Sequence, residues 1–169
     1  MHIRLATADD ADGIATVHVA AWRAAYEALL PVAYLARLDP HSRAEKWRSA
    51  LLAGAPRVLV AIVNDAIAGW VAFGPARDAD LDARCAEIEA IYVASACWNR
   101  GIGTALMTAA CEMLHVEGYA HIALWVLNDN AAACAFYARR GFARDGFARN
   151  IEIGGVSLME VRLTRDIVI

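Results

Sequence analysis

Apolar residues recur along this chain with two spacings, and each change of spacing marks a new element. Residues 3–6 read as a first strand. Ile14, Val17, His18, Ala21, Trp22, Ala25 and Leu29 then follow a three-and-four spacing, which is one face of a helix. Thr7 precedes it as an N-cap, and Asp9, Asp10 and Asp12 put negative charge in the first turn, where the helix dipole favours it. Leu30-Pro31 breaks the pattern, and Pro31 can start a short second helix through Leu35 and Leu38. Asp39-Pro40 is a turn signal, followed by a third helix over about 42–52. Two β-rich runs, 57–63 and 66–73, flank Asn64-Asp65 and predict an antiparallel hairpin. Residues 74–84 are polar, with Pro75, Asp78, Asp80 and Asp82, and read as a loop of variable shape. Further on the pattern predicts a strand at 85–93, a helix at 101–117 with Gly118 at C′, and a strand at 120–127. A helix at 130–139 closed by Gly141 and strands at 142–148 and 156–163 complete it.

The order is strand, helices, three strands, helix, strand, helix, two strands. A run of antiparallel strands with helices on both faces is mixed α/β, or α+β. No repeat or low-complexity linker divides the chain, so 1–169 is expected to be a single domain. An apolar content of 59% is enough for a large core and argues against disorder. The net charge of -3 leaves no basic footprint for nucleic acid or for an acidic membrane surface. No apolar run reaches the length of a membrane span and the start shows no secretory pattern, so a cytoplasmic protein is expected. Cys85, Cys97, Cys111 and Cys134 are scattered without a C-x-x-C pair, which gives no metal or redox motif and fits reduced, packed thiols.

The chemistry gathers after the strand Glu87-Ile88-Glu89-Ala90-Ile91-Tyr92-Val93, where Trp98-Asn99-Arg100-Gly101-Ile102-Gly103-Thr104 opens a helix. A strand feeding a glycine turn at a helix N-terminus is a phosphate-binding device: backbone approaches closely, the first N–H groups lack partners, and the dipole favours an anion. A dinucleotide fingerprint needs Gly or Ala where Leu106 stands, and a nucleotide P-loop needs Gly-Lys-Ser/Thr, which is absent.

The segment 87–106 resembles the acyl-CoA motif of the GCN5-related N-acetyltransferase (GNAT) family, Gln/Arg-x-x-Gly-x-Gly/Ala. Gly101 and Gly103 match, Asn99 and Arg100 fill the two x positions, and Trp98 stands where the family usually has Gln or Arg. Downstream, Leu124-Trp125-Val126-Leu127-Asn128-Asp129-Asn130, then Ala133, Phe136-Tyr137 and Gly141-Phe142, is similar to the family's next signature. The resemblance covers residues 57–163. It implies a GNAT fold: a mixed, mostly antiparallel sheet of about seven strands flanked by helices, splayed between strands 4 and 5. It also implies transfer of an acetyl group from acetyl-CoA to a primary amine of a small molecule, by direct attack in a ternary complex without a metal. A protein N-terminal acetyltransferase and a non-catalytic acyl-CoA-binding regulatory module are the alternatives. A homodimer, paired through the exposed C-terminal strand, is one assembly the resemblance leaves open.

The same resemblance implies the site. Main-chain groups of Ile91, Tyr92 and Val93 would meet pantetheine, and Asn99, Arg100, Gly101, Ile102, Gly103 and Thr104 would cradle the pyrophosphate. Asn130 would cap its helix and touch the cofactor. Tyr137, seven residues on and on the same side, would protonate the departing thiolate as a general acid, with Phe136 facing the core. The incoming ammonium must lose a proton. Glu87 and Glu89 lie two apart on one strand face, and Ile91 and Val93 would continue that face towards the cofactor, which favours Glu89 as base over Glu87. His18 and His121 are other conceivable bases, each more simply a packing or surface residue. Trp22 and Tyr26, four apart, are expected to wall the acceptor pocket with Tyr34 and Trp47; core packing is the alternative for all four.

Overall fold

The computed structural model describes residues 1–167. Strand β1 (His2–Leu5) leads through a 3-10 turn into α1 (Ala11–Ala25), α2 (Val32–Ala36) and α3 (Pro40–Ala53). Then come β2 (Arg57–Val63), β3 (Ala66–Pro75), β4 (Cys85–Val93), α4 (Ile102–Val116), β5 (His121–Leu127), α5 (Ala131–Ala138), β6 (Ala143–Ile153) and β7 (Val156–Asp166). The seven strands form one sheet in the order β1-β2-β3-β4-β5-β7-β6, and every pairing is antiparallel except β4 with β5. This is the mixed, mostly antiparallel sheet flanked by helices that the resemblance implies.

Alternation along the strands gives the sheet two apolar faces. Phe73, Ile88, Ile122 and Leu124 pack with Ile102, Leu106 and Leu114 of α4 on one side. Val58, Val60, Trp70 and Ala72 pack with Ile14 and Val17 of α1 on the other, with Trp47 of α3 against them. α1 is therefore stitched to the sheet on the face opposite α4. Asn64 and Asp65, at φ 50 and 60, make the tight turn between β2 and β3.

Three elements differ from expectation. α1 stops at Ala25 rather than running to Leu29, and the chain turns there, with Leu30 N–H donating to Tyr26 O at 2.9 Å. β6 runs to Ile153, because Gly154 and Gly155 (φ 61 and 81) close a tight hairpin that pairs it along β7. The loop after β3 is not of variable shape. Arg162 of β7 is 2% exposed, and its guanidinium reaches Asp145 at 2.6 Å, Asp78 at 3.1 Å and Asp80 at 2.6 Å. A buried cation needs counter-charge, and this one draws it from the loop and from a bulge of β6.

Replacing Arg162 with Ala strands three carboxylates. We expect a loss of about 3 kcal/mol, the low end for a broken buried ion pair, since Asp80 keeps access to water. Urea denaturation measures it, and an unchanged midpoint would show that the loop holds without this anchor.

Candidate active site

β4 and β5 pair through only three residue couples, Cys85↔His121, Ala86↔Ile122 and Glu87↔Ala123. Beyond them a cleft of about 730 Å³ opens between the strands. The reason lies on the other edge of β4. Phe73 of β3 faces Ile88 while its neighbour Ala72 faces Ala90, so Glu89 is an extra, unopposed residue. Such a bulge bends its strand and shifts the side-chain phase by one. Ala86 and Ile88 face α4 before it, Ile91 and Val93 face α4 after it, and Ala90 and Tyr92 face α1. Simple alternation placed Ile91 and Val93 on the face of Glu87 and Glu89; the bulge puts them on the opposite one.

Ala94 N–H donates to Ala68 O of the β3 side at 2.8 Å. By alternation the main-chain groups of Tyr92 also point to β3, and those of Ile91 and Val93 point into the cleft. The Val93 carbonyl accepts from the Trp98 indole N–H at 2.8 Å. Trp98 therefore staples the turn to the end of β4, and the sequence offered no clue to that. Tyr92 was expected on the cofactor side, but its ring stacks on His18 at 5.2 Å, and its hydroxyl lies 3.5 Å from that of Tyr26.

At the far end, Asn99 (φ 60) and Gly101 (φ 79) take left-handed backbone, and α4 starts at Ile102. Asn99, Gly101, Ile102, Gly103 and Thr104 line the cleft, whereas Arg100 is exposed and outside the lining. A Cβ on Gly103 would lie 3.1 Å from Phe136 Cε2, so the missing side chain lets α5 close against the turn. Phe136 is thus half-buried at this contact, and Tyr137 is the one that is buried, edge-on to Phe136 and Phe142. Phe136 packs against the α4-side core as expected, and both rings line the cleft. Arg140 covers the Phe136 ring at 3.5 Å, donates to Phe136 O, and contacts Thr104 Oγ1. Its Nε is buried without a partner among the described residues, and burial with Arg139 and Arg165 nearby lowers its pKa. Sequence reasoning passed over Arg139 and Arg140, although a double arginine just past Tyr137 was the available signal. Asn130 caps α5, its Oδ1 accepting from Ala133 N–H at 3.1 Å, and it lines the cleft with Tyr137. Burial, reinforced by Tyr26, pushes the Tyr137 phenol well above its ordinary value.

The two carboxylates part company. Glu87 is 6% exposed and locked by Arg77, which donates from Nε at 2.9 Å, Nη2 at 2.6 Å and its main-chain N–H at 3.2 Å. Glu89 has one contact to Arg77 at 3.2 Å, lines the cleft, and has its pKa raised by burial. Trp22 and Tyr26 also line the cleft, edge to face at 5.1 Å. Trp47 and Tyr34 do not: Trp47 packs on Trp70 at 4.7 Å, and Tyr34 sits against Gly154. Trp125, which the sequence argument used only as part of a motif, joins the wall. Its indole donates to Asp78 at 2.8 Å, and the Arg149 guanidinium lies 4.0 Å over its ring.

His18 is buried; its Nδ1 accepts from the Trp47 indole at 3.4 Å, and burial drives its pKa down to about 3. His121 lies at the other end of β5, 2.7 Å from Asp166. Among the described residues no group of His, Cys, Asp and Glu could hold a metal ion, and no helix is long and apolar enough to cross a membrane.

The chain is similar to known proteins in sequence and in fold. The model of the Acetyltransferase (GNAT) family matches residues 22–142. The uncharacterized N-acetyltransferase YuaI of Bacillus subtilis is 32% identical over 166 residues, covering 95% of this chain and 90% of that protein. An N-acetyltransferase from Staphylococcus aureus Mu50 superposes with a TM-score of 0.75 at 17% identity, over 99% and 98% of the two chains. The PaiA N-acetyltransferase from Thermoplasma acidophilum, solved with coenzyme A, gives 0.73 at 18% identity over 95% and 98%. YncA from Salmonella typhimurium, solved with acetyl-CoA, gives 0.73 at 21% over 99% and 94%. At these identities the structures speak to the fold.

Burial of neutral His18 has a pH signature. The unfolded chain protonates this ring below its ordinary 6.5 and the folded one only below about 3, so unfolding takes up a proton between those values. Folded stability should therefore fall as pH drops from 7 towards 4, and His18→Gln should lessen the fall. Denaturation midpoints at several pH values test it; equal slopes for both proteins would contradict a neutral buried His18.

Proposed function

The chain belongs to the GNAT acetyltransferase family, and from that premise we propose that it moves an acetyl group from acetyl-CoA to the primary amine of a small molecule, by direct attack in a ternary complex. The whole chain is read as one such domain. The observation that carries this reading is the gap beyond Glu87, where the main-chain groups of Ile91 and Val93 face the cleft and the α4 N-terminus stands at its end.

The residues fit the donor. Ile91 and the Val93 N–H offer strand-like partners to pantetheine amides, while the Val93 carbonyl is shared with Trp98. The N–H groups at the start of α4 and the helix dipole suit the pyrophosphate. Arg140, whose buried Nε lacks a partner among the described residues, adds positive charge at that end with Arg139. Asn130 caps α5 and borders the same channel.

The chemistry divides between two groups. Glu89 takes a proton from the acceptor ammonium, directly or through a water, which frees the nitrogen lone pair. The N–C bond forms as the C–S bond breaks, Tyr137 gives its proton to the departing thiolate, and the second proton that the nitrogen sheds in becoming an amide restores the phenol. The environment tunes each side chain, and at Glu89 the Arg77 guanidinium partly offsets burial in favour of the ionised form. Burial raises Glu89 and makes it a better base, and burial keeps the Tyr137 phenol protonated. Glu87, held three ways by Arg77, fixes that arginine beside Glu89 and is not the base in this reading.

Free-thiol release with acetyl-CoA and an amine panel tests the assignment. Glu89→Gln should lower kcat by about 100-fold or more, and Tyr137→Phe by a similar order, with acetyl-CoA affinity unchanged in both. Because burial raises Glu89, the acid limb of kcat/KM should lie above the ordinary carboxylate range, with activity lost as pH falls through it. Turnover that survives either substitution removes that residue from its role. Tight acetyl-CoA binding with no acceptor-dependent thiol release would instead mark a binding module.

A further inference from the structure

Charge is distributed unevenly along the cleft. Its cations, Arg139 and Arg140, stand at the α4 end. In the other half the charged side chains that line it are both acidic, Glu89 and Glu160. The arginines that touch its two carboxylates do not line it and are already matched. Arg77 holds Glu87 and touches Glu89, while Arg149 meets Glu160 at 2.8 Å and lies over Trp125. Beside small aliphatic residues, four aromatic side chains line it: Trp22, Tyr26, Tyr92 and Trp125. A spare donor on this wall, the buried Nε1–H of Trp22, without a partner among the described residues, is neutral and offsets no carboxylate charge.

Such a wall treats two kinds of amine differently. A protonated amine is attracted both by carboxylates and by the faces of indole and phenol rings. An amino acid brings a carboxylate to within a few ångströms of its nitrogen, and here that group would be desolvated beside Glu89 and Glu160, with no cation among the described residues that line this half.

We propose that the acceptor is an amine without an acid group, an aryl- or alkylamine seated on the Trp22, Tyr26 and Trp125 rings with its nitrogen at Glu89, and that free amino acids are rejected. The inference rests on the acetyl-transfer reading of the same cleft and narrows it. Trp125 becomes a specificity-determining residue, held in place by Asp78 and thus by the Arg162 cluster.

Pairs that differ only by the carboxylate test this directly: phenethylamine and phenylalanine, tyramine and tyrosine, cadaverine and lysine. Phenylalanine methyl ester keeps the bulk and removes the charge. Each is titrated into the wild-type protein with CoA present, read by tryptophan fluorescence, and each is assayed for thiol release with acetyl-CoA. We expect each amine to bind at least about tenfold more tightly than its amino acid, the scale of one like-charge contact in high dielectric, since Glu89 and Glu160 each keep an arginine partner, with the ester behaving as an amine. Trp125→Ala should weaken the amines and narrow the gap. Amino acids that bind as well as their amines, an ester that behaves like the acid, or no binding by any member would overturn the proposal. Selective amine binding without thiol release would support it and overturn the transfer reading instead.

Discussion

The extra residue in β4 is the constraint on which the rest of this site depends. A strand paired on both edges has no free main-chain groups, and a parallel partner extended along all of β4 would close the sheet. Glu89 has no opposite number on β3, so β4 bends where it stands, and contact with β5 ends two residues earlier at Glu87. One inserted residue thus opens the cleft, turns Ile91 and Val93 towards α4, turns Tyr92 towards α1, and leaves a carboxylate at the vertex. Backbone groups buried without partners are costly, which makes an open strand edge inside a protein a site that awaits a ligand.

The two faces of the sheet then take separate tasks. On the α4 side, glycines admit close backbone and the arginines that close α5 supply positive charge. On the α1 side, the aromatic rings and two carboxylates form a surface of opposite character. The boundary between them is held by parts that never face the cleft. Arg77 pins Glu87, Arg149 pins Glu160, and Arg162 pins the loop that carries Asp78, the partner of Trp125. Three arginines therefore act as scaffolding around the acceptor half, and their charge is spent on neighbours.

Much of this was legible in the residues. Periodicity located the elements, and β4 carries the bounds that its apolar run implies. The family followed from Gly101, Gly103 and the Asn130-to-Phe142 signature. What periodicity cannot carry is a change of phase inside a strand. The period-two rule correctly pairs Glu87 with Glu89, but it fails one residue later, because a bulge is set by the register of β3 and leaves no local mark on β4. Partner choice was equally hidden. The sequence shows Arg77, Arg140 and Arg162 as three arginines among many; only the fold reveals that one locks Glu87, one covers Phe136, and one is buried among three aspartates. Trp98 was visible as a departure from the family motif, and its hydrogen bond to Val93 O gives that departure a structural use.

Amide hydrogen exchange with and without saturating coenzyme A tests the central claim most directly, because it reads single backbone groups and needs no acceptor. If the β4–β5 gap is the donor site, coenzyme A should slow exchange at Ile91, Val93 and residues 101–104, and leave the β1–β2 pairing at the far edge of the sheet unaffected. Protection that appears elsewhere and spares Ile91 and Val93, or none at all, would contradict the account.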